Sequence, residues 1–256
     1  VNPPDPPGTP SQEEVVDLSS QAPAVRTHRW GFGAFVLAQV VLVLTAVFIS
    51  AAAGPIAATE PIPQLVVVLA TVLPVLLATG VAVLATVLRG NGPVLDLGLR
   101  WSWQDVRVGF KLGFAGLAVT CVAVVIWAKL VGQDNASSAL SSVVGAQRLP
   151  VSVAVVMFLY TWLLGPVCEE LLYRGLLWGA IERLRWSRWA ALVLSTAIFA
   201  VGHLEPQRTL LLLVIAIPIG WARLVTGRLP ASIIAHQINN FVPGVGILLM
   251  SLGIWT

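Results

Sequence analysis

The chain of 256 residues is 57% hydrophobic and 11% charged, with a net charge of +3 and a mean hydropathy of +0.87. A soluble domain carries about 25% charged residues, so the composition excludes one and predicts an all-α, polytopic transmembrane helix bundle of about seven spans. The basic residues form no single patch, which excludes nucleic acid as a partner.

Residues 1–25 are rich in Pro, Ser and acids and lack apolar periodicity, the composition of a disordered tail. Residues 26–256 then read as one transmembrane domain. Arg26, His28 and Arg29 precede the first apolar run, residues 31–53, which is longer than the ~7–15 residues of a signal-peptide core and predicts a retained span. Gly54-Pro55 and Pro61 mark a turn before a second span at 63–88, with Pro74 as a candidate kink. Residues 89–107 alternate Arg89, Asp96, Arg100, Asp105 and Arg107 with leucines, Trp101 and Trp103, the pattern of a surface segment at headgroup level. A third span is expected at 108–131, followed by a Ser- and Asn-containing loop.

The fourth segment, 151–184, contains Pro166-Val167-Cys168-Glu169-Glu170-Leu171-Leu172-Tyr173-Arg174. Gly165-Pro166 interrupts it: the proline frees a carbonyl one turn earlier and leaves open whether this is one helix or two. Spans at 188–204, 207–226 and 229–252 complete the chain, and no internal repeat is visible. With the N-terminus inside, seven spans put most of the cations, from Arg29 and Arg89 to Arg183 and Arg228, on the cytoplasmic side and only Lys129, Arg148 and Arg208 outside. The expected location is therefore a plasma (inner) membrane, with an external C-terminus. Cys121 and Cys168 both lie in apolar runs and read as small buried residues rather than a disulfide or metal cluster. A thiol in apolar surroundings is a poor nucleophile.

Glu169 and Glu170 are the only carboxylates expected within the membrane core, where a charge costs at least ~2.5–3.5 kcal/mol and needs a reason. Glu170 and Arg174 are spaced i,i+4 and can pair; Glu169 is rotated about 100° away and need not be consumed by that pair. Glu169 and His203 lie equally far from the cationic turn near Trp186 and so reach similar depth if segments four and five form a hairpin. His236 and Asn240, also i,i+4, share one face of the last span but lie shallower. The six residues are expected to line one cavity, open to the cytoplasm or laterally to lipid on that side. Such a set suits water activation: a carboxylate in an apolar pocket is a competent general base, a histidine can polarise the water, and a histidine–asparagine pair can donate to an oxyanion.

Glu169-Glu170-x-x-x-Arg174, Phe199-x-x-x-His203 and His236-x-x-x-Asn240, in that order on successive spans, resemble the three motifs of the CAAX protease and bacteriocin-processing (CPBP) family, which includes the Ras-converting CAAX prenyl endopeptidase. The resemblance covers residues 150–245, the expected catalytic core. It implies an intramembrane endopeptidase acting on peptide or lipidated, membrane-anchored protein substrates. By it, Glu169 and His203 activate the water, His236 and Asn240 form the oxyanion site, and Glu170 and Arg174 support the geometry. No cofactor is expected. The alternatives are a zinc enzyme with Glu169, His203 and His236 as ligands, a proton-coupled transporter using the Glu/His cluster as a relay, and a non-catalytic membrane scaffold or immunity protein. The chain has no His-Glu-x-x-His helix, the most familiar zinc-protease signature, and no paired broken helices in two related halves.

Overall fold

The computed structural model describes residues 27–57 and 60–255, so the expected tail at 1–25, like Arg26, lies outside the described residues. It is 81% helical, and the described residues contain no strand. Seven principal helices follow in order: α1 Phe32–Ala53, α2 Gln64–Arg89, α3 Trp103–Val131, α4 Val151–Arg183, α5 Arg188–Gly202, α6 Thr209–Thr226 and α7 Leu229–Ser251. Short helical turns at Pro93–Asp96, Gln133–Ala136 and Ala139–Gly145 fill the connections.

Six of these segments are long and apolar enough to cross a membrane; α5 is the short one. Its 15 residues reach about 22 Å, against a hydrocarbon core of ~30 Å. The chain is thus an integral, multi-pass membrane protein. The outer faces behave accordingly: Leu37, Leu44 and Phe48 on α1 and Phe110 and Phe114 on α3 are exposed, as lipid-facing side chains are.

Local signals in the sequence set the helix ends. Ser102 and Asp105 form a reciprocal capping box that starts α3 at Trp103, five residues before the expected span. Ser187 caps α5 by accepting from the Ala190 N–H. Gly227, at φ 69°, ends α6 in the left-handed conformation, and its N–H returns to the Arg223 carbonyl.

Helix α1 packs on α2, α5 on α6, α3 on α6 and α7, and α7 on α4. The α3–α7 contact depends on small residues. A side chain at Gly109 would meet Ile234 at 2.8 Å and the Ala231 carbonyl at 2.9 Å, and one at Gly113 would meet Ile238 at 2.8 Å. Backbones brought this close gain the dispersion contacts that hold helices together in lipid.

Two expectations are corrected. Cys121 is exposed on α3 rather than buried, since it points away from the α6 and α7 side; Cys168 is buried. The 89–107 segment does not simply lie at the surface. Trp101 and Trp103 are exposed, but Leu97 and Asp105 are wholly buried, because the segment folds back under the bundle: the Leu229 N–H bonds to the Gly98 carbonyl and Arg228 pairs with Asp105 at 3.0 Å. The entry to α1 is pinned at the same end. Trp30 is buried with its indole N–H on Asp96, and Arg183 donates to the carbonyls of His28 and Trp30.

Candidate active site

Helix α4 is one continuous helix, which answers the question raised by Gly165-Pro166. It accommodates the interruption with two π-helical stretches, Tyr160–Leu164 and Leu171–Leu177, on either side of Gly165–Glu170. The Gly165 N–H reaches back five residues to the Tyr160 carbonyl, and the Trp178 N–H reaches the Tyr173 carbonyl, again five back. A π turn widens the helix and re-aims its side chains, and such turns recur at functional sites. Here the two acids stand between them.

The proline also leaves a backbone acceptor to be satisfied, since position 166 has no N–H to offer the preceding turn. Side chains of α7 supply the donors. Asn240 Nδ2 donates to the Thr161 carbonyl at 3.2 Å, and Gln237 Nε2 donates to the Leu163 carbonyl at 3.3 Å. The break in α4 thereby becomes the docking point for α7, the helix that carries His236.

Glu170 and Arg174 are paired at 3.0 Å, with neither side chain exposed at all. The same Glu170 oxygen accepts from His236 Nδ1 at 3.0 Å, while an Arg174 amine reaches the Ala216 carbonyl. The carboxylate can only accept, so His236 carries its proton on Nδ1 and turns Nε2 outward. That nitrogen faces Glu169 Oε2 at 3.7 Å, beyond hydrogen-bond length. Glu169 is 23% exposed, so the two adjacent acids differ sharply: Glu170 is spent inside the protein and Glu169 keeps lone pairs available at its surface.

Phe199 organises the rest. Its ring stands 4.5 Å from His203 and 5.8 Å from His236, edge to face in both cases, and lies 4.6 Å under the Arg174 guanidinium. Tyr173 packs on it at 5.2 Å. Arg174, Glu170, His236 and Glu169 thus form a chain of contacts in that order, and His203 joins them through the Phe199 ring. Asn240 touches α4 at Thr161, one turn further along α7 than His236. His203 Nδ1 bonds to the Phe199 carbonyl at 2.8 Å; a carbonyl only accepts, so this nitrogen holds the proton and Nε2 presents a lone pair. The chain reverses immediately after, with Leu204 in the left-handed region at φ 55°, a conformation held at some cost in a non-glycine residue.

The sequence reading did not give Phe199 a role beyond its place in the motif, although its i,i+4 spacing from His203 puts both on one face. Gln237 likewise has no role that the sequence pattern gives it. Its role depends on a carbonyl of another helix, that of Leu163.

Among the described residues, no group of three or more His, Cys, Asp and Glu side chains is placed to hold a metal ion. In the alternative zinc set Glu169, His203 and His236, Nδ1 of each imidazole is bonded within the protein and Nε2 is the nitrogen left for a ligand.

Residues 151–242 match the family model described as Rce1-like, type II CAAX prenyl endopeptidase. No curated protein and no solved structure matches the chain. The matched segment begins at α4 and extends past Asn240 on α7, so it contains all three motifs. The match is confined to this C-terminal segment and is consistent with a CPBP family protease.

Proposed function

We propose that the chain is an intramembrane endopeptidase of the glutamic type, which hydrolyses peptide bonds of membrane-associated protein substrates with Glu169 as the base that activates water. The observation that carries this reading is the difference between the adjacent acids. Glu170 is closed off by Arg174 and His236, whereas Glu169 is partly exposed and unpaired at hydrogen-bond length. A free carboxylate beside an internally neutralised one is what a proton-abstracting site requires.

In this mechanism a water on Glu169 gives up a proton to the carboxylate as its oxygen attacks the scissile carbonyl carbon. His203, with its Nε2 lone pair, assists by accepting a hydrogen bond from the same water. His236, once protonated on both nitrogens, keeps one N–H on Glu170 and offers the other to the developing oxyanion. The second N–H of Asn240, the one not directed at Thr161, is a further donor. When the tetrahedral intermediate collapses, the C–N bond breaks and the leaving amine takes the proton held by Glu169, directly or through His203. Glu170 and Arg174 act by holding His236.

The test is cleavage of membrane-anchored peptides by the reconstituted full chain. Glu169→Gln is expected to lower the rate by about 10²–10⁴-fold, the usual contribution of a general base, with thermal unfolding unchanged. Cleavage at the wild-type rate by this variant would remove Glu169 from the mechanism. No metal takes part in this scheme, so activity is expected to survive exhaustive chelation; loss on chelation with stoichiometric recovery on adding zinc would establish the metalloprotease reading instead.

We read the N-terminus as cytoplasmic, in a plasma (inner) membrane. Support comes from the end of the bundle that gathers Arg29, Arg89, Arg183 and Arg228. The candidate substrates are lipidated or otherwise membrane-anchored proteins, by similarity to the matched family.

A further inference from the structure

The charges between α2 and α3 alternate in the sequence but separate in the structure. Both carboxylates of the segment turn inward. Asp96 accepts from the Trp30 indole and from the backbone and side-chain nitrogens of Asn91, each at 2.9 Å. Asp105 is wholly buried, accepting from the Ser102 N–H at 2.6 Å, from its hydroxyl, and from Arg228 at 3.0 Å. Arg100, Arg107 and Lys111 turn outward instead; all three are exposed, and none has a carboxylate partner among the described residues. A segment of mixed charge therefore presents a purely cationic face.

That face also has an apolar component. Trp101 and Trp103 are 65% and 69% exposed and pack edge to face at 5.8 Å. Trp103, Arg107 and Lys111 follow one another at i,i+4 on α3. Gly109, which meets α7, is rotated about 200° from Arg107, so the cations point away from the protein. Below them along the span come the exposed rings of Phe110 and Phe114, 6.1 Å apart. From the rim inward along α3 the order is amphipathic ring, cation, apolar ring, with Lys111 between Phe110 and Phe114. A partner matching it must be anionic at one end and apolar at the other, and must lie alongside a membrane span.

We propose that this face is a binding site for an anionic phospholipid, whose phosphate sits among Arg100, Arg107 and Lys111, whose headgroup meets the two tryptophans on the rim side and whose acyl chain runs along Phe110 and Phe114. Each basic side chain near an anionic bilayer surface is worth about fivefold in binding, so three together give on the order of a hundredfold preference over a zwitterionic lipid.

The experiment uses the full chain in phosphatidylcholine vesicles and measures quenching of tryptophan fluorescence by brominated lipid. The contribution of Trp101 and Trp103 is isolated by difference from the W101F/W103F variant. Brominated phosphatidylglycerol is expected to reach half-maximal quenching at a mole fraction at least tenfold below that of brominated phosphatidylcholine. The variant R100Q/R107Q/K111Q is expected to bring the two midpoints together. Equal midpoints for the wild type would overturn the proposal without recourse to any variant, as would a preference that persists in the triple variant. Relief of the quenching by millimolar inorganic phosphate would overturn it too, by identifying a soluble phosphate ligand rather than a lipid.

Discussion

Two ion pairs join other helices to the end of α7 that begins near Arg228, and they are built differently. At the rim, Asp105 on α3 meets Arg228 just before α7; the carboxylate is buried but the arginine is 34% exposed and can reach water. Deeper in, Glu170 and Arg174 on α4 meet His236 with no exposure of either charged side chain. The rim carboxylate also closes a capping box, so its lone pairs are taken up by backbone and hydroxyl as well as by the guanidinium. The inner pair leaves Glu170 Oε2 and Arg174 Nε without a protein partner. Water can replace a lost partner at the rim, whereas each charge of the inner pair depends on the other, and it is this inner arrangement that orients the imidazole facing Glu169.

Breaking the inner pair is therefore expected to have the largest effect. Glu170→Ala strands Arg174 in the bundle, and leaving such a charge unpaired typically costs ~3–5 kcal/mol, so the variant should express poorly and unfold well below wild type in detergent. Replacing both partners with apolar residues of similar size, Glu170→Leu with Arg174→Met, removes the stranded charge and should recover most of that stability. Cleavage should not return with it, because His236 has then lost its acceptor. Recovery of activity in the double variant would show that the pair serves the fold alone.

The rim pair should respond less. Asp105→Ala removes the N3 half of a capping box, a net loss of about 1 kcal/mol per hydrogen bond, and frees an arginine that is already partly hydrated. A modest fall in unfolding temperature with cleavage retained is the expected result. A loss as large as that of Glu170→Ala would mean that the α2–α3 segment holds the bundle together more tightly than its exposure suggests.

The same contrast explains what could be read from the sequence. Helix order, the pairing of Glu170 with Arg174 and the separate status of Glu169 follow from apolar run length and helical spacing, which act within one chain segment. The short α5 was legible in the run 188–204, whose length sets it apart from the longer spans. The inward turn of Asp96 and Asp105 was not legible, since alternation along a segment does not reveal which side chains find donors on Trp30 and Arg228. Nor was the contact of His236 with both acids, which depends on how α7 docks on α4. That docking depends in turn on the π turn before Pro166, which a 3.6-residue period cannot describe.

The smallest expected effect tests that docking directly and separates two roles of Asn240. Its Nδ2 donates to the Thr161 carbonyl, an acceptor left open because position 166 has no N–H. In Pro166→Ala a backbone N–H becomes available to the carbonyls of Thr161 or Trp162, four or five residues earlier. Asn240→Ala alone should cost ~1 kcal/mol by leaving a partly buried acceptor unmet. In the Pro166→Ala background the same change should cost about 0.5 kcal/mol less, a coupling that a double-mutant cycle on unfolding can resolve. Cleavage gives the second measurement. If the asparagine donates to the oxyanion, its loss reduces the rate equally in both backgrounds, because the new N–H lies in α4 and cannot take its place. If it acts only by docking α7, the double variant should regain activity along with stability, and Asn240 would then be a positioning residue.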